Sequence, residues 1–151
     1  MIMFCGMMIA LDSLHKMKHR INVLTAFSDL LIEIDVGVAS FSDEIGDIIA
    51  SSSNKIAEMI KEKAKSSGNF LSSWKETGEI FFYIDGDKKL FFNFIDDFGS
   101  ANLEIQNKAT ERYIKETERR IKEAKEEFKE KYRLKFAFPL FISFVLAMVL
   151  M

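Results

Sequence analysis

At 151 residues the chain suits one domain, and a net charge of −2 leaves no broad basic surface of the kind nucleic acid requires. Its one cysteine, Cys5, excludes a disulfide framework. One proline and seven glycines favour helices throughout.

The chain opens on an apolar run, MIMFCGMMIAL at 1–11, in which Cys5 reads as a small hydrophobe. About eleven residues cannot cross a bilayer that needs about twenty. We read the run as a membrane-embedded piece: the end of a longer span, a shallow interfacial helix or an uncleaved leader, with a plain apolar helix start as the alternative. His15, Lys16, Lys18, His19 and Arg20 follow it. Basic residues beside a membrane segment favour the cytoplasmic side.

A helix is expected over about 12–34, where Leu14, Met17, Ile21, Leu24, Phe27 or Ser28, and Leu31 recur at steps of three and four. Gly37 is expected to interrupt it at a turn. A second helix follows, with Ser42 as N-cap, Ile45, Ile48 and Ile49 as the apolar face, and Asp43 and Glu44 at the positive end of the helix dipole. The segment 51–54 breaks the pattern. Asn54 can cap a third helix over 55–65, with Ile56, Met59 and Ile60 inward and Gly68 near its C-terminal stop.

A fourth helix is expected over about 70–84, including Trp74. Here local rules conflict, because EIFFYI, Asp85-Gly86-Asp87 and KKLFFNFI also resemble a hairpin around an Asp-Gly turn. The apolar blocks are continuous and do not alternate. The preferred reading is a turn at Asp85-Gly86 and a helix over 88–98 capped by Asp87, with Leu90, Phe91, Phe94, Ile95 and Phe98 on one face.

The last soluble element, about 103–132, is long and charged. Ile114, Ile121 and Phe128 recur every seven residues with Thr117 and Ala124 between them, a narrow heptad-like seam. It can pack inside the domain, pair with a second copy or dock a partner. Glu111 with Lys115, Glu116 with Arg120, Glu118 with Lys122 and Glu127 with Lys131 lie four apart and support the helix. The helix is expected to run almost unbroken into LKFAFPLFISFVLAMVLM at 134–151, whose one charge is Lys135. That tail offers about sixteen apolar residues, or about 24 Å of helix against a core of about 30 Å, a short transmembrane helix. A buried C-terminal core helix is the alternative. Lys129, Lys131, Arg133 and Lys135 again place the middle of the chain in the cytoplasm.

Signals for chemistry are weak. His15 and His19 have the i, i+4 spacing of a chelating pair but no third ligand pattern, and interfacial charge explains them better. Asp85-Gly86-Asp87 lacks the further positions of a calcium loop. Asp96-Asp97 and Asp43-Glu44 have no nucleophile beside them. No phosphate-binding glycine loop is present. No catalytic residue, cofactor, metal or small-molecule substrate is therefore expected.

The order of parts does resemble a known family. An apolar leader runs into HKMKHRINVLTAFSDLL, followed by Glu33-Ile34-x-x-Gly37-x-x-x-Phe41, then Trp74 with Glu76, FIDDFGSANLEIQ at 94–106, and a Glu/Lys/Arg helix ending Lys131-Tyr132-Arg133 before the final span. This succession resembles the stage III sporulation protein AB family over nearly the whole length. A curtailed leader, phenylalanines at 136, 138, 141 and 144 where the family has glycines, and the aromatic load at 81–98 depart from it.

The resemblance implies an all-α fold: a short apolar N-terminal membrane segment (1–11), a cytoplasmic helical bundle (12–133) and a C-terminal transmembrane helix (134–151). Such a bundle is similar to the cytoplasmic domains of type II secretion and type IV pilus platform proteins. It implies a non-enzymatic component of the channel complex in the mother-cell membrane around the forespore. Its partners would be a sporulation ATPase (stage III sporulation protein AA), other proteins of the complex and membrane lipid. For the partner contact we single out the acidic residues Glu33, Asp35, Asp43, Glu44 and Asp47. The alternatives are a generic membrane-tethered coiled coil dimerising through Ile114, Ile121, Ala124 and Phe128, and a metal-dependent enzyme using His15 and His19.

Overall fold

Apolar residues spaced at three and four, with proline confined to the C-terminal stretch, leave the chain few ways to be anything but helical. The computed structural model describes the backbone of residues 2–41, 44–98 and 103–149, and side chains at 12–38, 44–98, 108–134 and 148. Among the described residues there are six helices: α1 Ile2–Phe41, α2 Ile45–Ser51, α3 Lys55–Ser67, α4 Phe70–Phe81, α5 Asp85–Phe98 and α6 Leu103–Val149. The hairpin alternative at 79–95 is not formed; α4 and α5 occupy that stretch.

The chain divides into two units, one of Met1–Ile21 with Lys122–Met151 and the other of Asn22–Ile121. The core of the second unit is aromatic. Trp74 stacks on Phe91 with ring centroids 4.6 Å apart, and Phe27 meets Phe91 edge-on at 5.0 Å. The Trp74 indole donates to the Phe91 carbonyl at 3.0 Å, so its one polar atom is satisfied inside the core. Leu24, Phe27, Leu31 and Ile34 of α1, Ile56 and Ile60 of α3, and Phe94 of α5 close around this cluster and are fully buried. These aromatic contacts decide helix over hairpin: at a spacing of three and four, Phe91, Phe94 and Phe98 reach one core together.

Helix ends follow local chemistry where a suitable side chain is present. The Asn54 carbonyl oxygen accepts from the Ile56 N–H at 2.9 Å, capping α3, and its amide donates to the Ala26 carbonyl of α1 at 2.7 Å. Gly68 ends α3 in the left-handed region at φ 67°. The Asn69 side chain accepts from Ser72 N–H at 3.1 Å and starts α4.

Three expectations are corrected. Gly37 does not interrupt α1, which runs to Phe41. An added Cβ there would lie 2.6 Å from Ile48 Cδ1, so the missing side chain admits α2 against α1 and does not make a turn. The cap before α2 is Glu44, with no side-chain cap bond, while Ser42 and Asp43 lie outside the described residues. Helix α4 stops at Phe81, because Phe82 is extended and buried, and α5 starts at Asp85. Asp87 then lies within the first turn of α5, 2% exposed, and pairs with Arg120.

In the other unit, Met17 and Ala124 are buried and Arg20 pairs with Glu127 at 3.6 Å. Helix α6 continues without a break through residue 134 into the apolar stretch. Among the described residues no helix is long and apolar enough to cross a membrane. Of the stretches expected to lie in the membrane, the side chains of 1–11, 135–147 and 149 and the whole of Met1, Leu150 and Met151 lie outside the described residues.

Candidate functional site

Helix α1 turns Leu24, Phe27, Leu31 and Ile34 inward, and its other face is then fixed by the helical period. That outer face carries Asp29, Ile32, Glu33 and Val36, all exposed, at steps of three and four. Ile32 is 44% and Val36 52% exposed, two large apolar side chains in water flanked by two carboxylates. The spacing pattern already contained this signal, since Ile32 and Val36 fall out of phase with Leu24, Phe27 and Leu31. In the run LLIEI, where apolar residues fill several phases, it is easily missed.

Glu33 is exposed and Asp35 half-buried on the flank of the same helix. Glu44 and Asp47 are exposed at the start of α2. The close approach of Gly37 to Ile48 sets α2 against α1 one turn beyond Glu33, so these four acids belong to the end of the bundle where the two helices meet. Asp43 lies outside the described residues. A small apolar patch rimmed by carboxylates suits a partner presenting apolar and basic side chains together. It offers no nucleophile and no acid–base pair. Among the described residues no three His, Cys, Asp or Glu side chains gather as metal ligands, and His15 and His19 are exposed.

The first part of the heptad-like seam of α6, Ile114 to Ile121, packs on the core of its unit. Ile114 and Ile121 are partly buried against the aromatic core, and between them Thr117 is fully buried, donating to the Tyr113 carbonyl at 2.7 Å. In the other unit Ala124 is 2% exposed, and Phe128, half-buried, stacks on Tyr132 at 6.0 Å between centroids.

Glu111, Lys115, Glu116, Arg119 and Arg120 of α6 are held in ion pairs. Arg119 Nη2 lies 2.6 Å from Glu116, and Arg120 Nε reaches the same carboxylate at 3.0 Å. The Arg119 hydrogen bond, with Arg120 adding to it against a desolvation penalty, draws the Glu116 carboxyl down to about 2. Lys115 likewise holds Glu111 below the usual carboxylate range. The Tyr113 hydroxyl donates to Asp97 at 2.5 Å; burial first, and that bond second, push its pKa up to about 12.

Compared with known families, residues 1–151 match the family model described as stage III sporulation protein AB, the whole chain. Comparison with curated proteins and with solved structures finds no match.

Proposed function

The chain belongs to the stage III sporulation protein AB family, which gives it a role in sporulation, and from that premise we propose that it is a non-enzymatic membrane component of the stage III channel complex. The family is not a known enzyme family. In this reading the protein resides in the mother-cell membrane around the forespore, held by its apolar ends, with the bundle facing the cytoplasm. There it docks a cytoplasmic ATPase, stage III sporulation protein AA, and contacts other proteins of the complex.

The observation that carries the docking role is the pairing of exposed Ile32 and Val36 with the carboxylates of Asp29 and Glu33 on α1, next to Glu44 and Asp47 of α2. Interfaces of this type concentrate their energy in a few apolar anchors, while charged rims set orientation and encounter rate. The test is binding of the whole chain, in detergent, to the purified ATPase. Saturable binding that weakens at least tenfold in Val36→Lys, and less in Glu33→Lys with Asp47→Lys, supports the reading. Absence of binding by folded wild-type protein overturns it.

A further inference from the structure

Charge is unevenly divided along this chain. Residues 1–21 and 122–151, which make up the first unit, hold nine Lys or Arg against five Asp or Glu, whereas 22–121 holds twelve against eighteen. A chain of net charge −2 thus contains one unit that is positive and one that is negative. Within the positive unit the charges are ordered. On α6, Lys122, Lys125, Lys129 and Arg133 recur at steps of three and four, all exposed, and so line one face of the helix. Glu123, Glu127 and Glu130 fall on a neighbouring face, where Glu127 pairs with Arg20, while Glu126 borders the stripe one turn beyond Lys122. Beside the basic stripe Tyr132 is 46% exposed, Leu134 on another face is 69% exposed, and the helix continues from there into the apolar stretch that starts at Phe136.

From this arrangement we infer that the basic stripe of α6 binds the headgroups of anionic phospholipid. The inference rests on the membrane reading above and adds the lipid class and the residues that recognise it. Four cations on one helix face lower their energy most when that helix lies along a surface of negative charge, and a lipid leaflet is such a surface. An aromatic with a polar tip at the end of the stripe suits the headgroup level, where an apolar ring and a hydroxyl are both accommodated. Continuity with the apolar stretch selects a bilayer over a soluble acidic partner, since a soluble partner would leave that stretch in water. Three of the four glutamates, Glu123, Glu127 and Glu130, lie off the stripe, so that cations outnumber carboxylates on the face turned to the lipid.

The experiment is flotation of the full chain with vesicles of phosphatidylcholine alone and of phosphatidylcholine containing phosphatidylglycerol, at low and high salt. The expected result is at least tenfold tighter binding to the phosphatidylglycerol vesicles, an advantage that shrinks towards none in 1 M salt. Lys125→Gln with Lys129→Gln should remove most of it, while Lys65→Gln with Lys89→Gln, which makes the same change in net charge on the other unit, should leave it in place. All four lysines are exposed, so both variants should keep wild-type circular dichroism. Equal losses in the two variants would reduce the effect to overall charge and overturn the stripe. Equal binding of wild type to both vesicle types would overturn the lipid preference and leave membrane attachment standing. Failure to float with either vesicle would sink the membrane reading and this inference with it.

Discussion

Arg120 Nη1 of α6 lies 2.8 Å from Oδ1 of Asp87, a carboxylate in the first turn of α5 that is 2% exposed. The guanidinium also holds Glu116 at 3.0 Å, so one arginine joins α5 to α6. Removing one member of a buried pair leaves the other charge without compensation, and such losses run to about 3 kcal/mol. Arg120→Ala should therefore lower unfolding free energy by about that much in urea denaturation, and Asp87→Leu with Arg120→Met should recover a large part. A single arginine variant as stable as wild type would show that the pair does not hold the helices together.

Two side chains on α6 make stability depend on pH at opposite ends of the scale. The folded Glu116 carboxyl is drawn to about 2, below its ordinary value, so its contribution is complete above about 4.5 and is lost as pH falls towards 2. Tyr113 is shifted the other way, to about 12. Its contribution is complete below about 10 and is lost as pH rises from there towards 12. Stability curves of Glu116→Gln should lose part of the acid limb, and those of Tyr113→Phe part of the alkaline limb. Either variant retaining the full wild-type limb would contradict the assigned contact.

Gly78 and Gly46 should respond in opposite directions to the same substitution. A Cβ on Gly78 would sit 2.9 Å from Phe91 Cδ1, with the Phe92 ring also in its way, and overpacking of this type costs about 1–3 kcal/mol. Gly46 lies exposed in α2 with nothing within 4 Å of such an atom. Gly78→Ala should lower the thermal midpoint, and Gly46→Ala should raise stability by about 0.5–1 kcal/mol through the unfolded chain's lost freedom.

Ile121 distinguishes internal packing from self-association. It leans on the aromatic core, so Ile121→Ser should cost about 2 kcal/mol and lower the thermal midpoint without changing the oligomeric state of the protein that remains folded. Sedimentation showing a dimer that this variant converts to an equally stable monomer would return the seam to a partner-facing role.

Features governed by neighbours in sequence were legible. Asn54 as a cap and Gly68 as a stop follow from short-range hydrogen bonding and backbone freedom, and both stand where the pattern places them. Features decided at long range were not. Asp87 reads locally as a helix cap, and only Arg120, 33 residues away, makes it a buried ion-pair partner. Gly37 is equally consistent with a turn and with close packing until Ile48 is seen against it. The candidate face was half legible: acidic residues mark themselves in composition, but the exposure of Ile32 and Val36 depends on which phase of a crowded apolar run turns inward.

Asn54 uses both ends of one amide, its oxygen on the Ile56 N–H and its nitrogen on the Ala26 carbonyl. An aspartate has nearly the same shape and would still cap α3, yet it would set a negative oxygen against that carbonyl. Conversion of this one side-chain amide to a carboxylate, with the backbone unchanged, would turn a clasp between α3 and α1 into a point of repulsion while leaving the helix start intact.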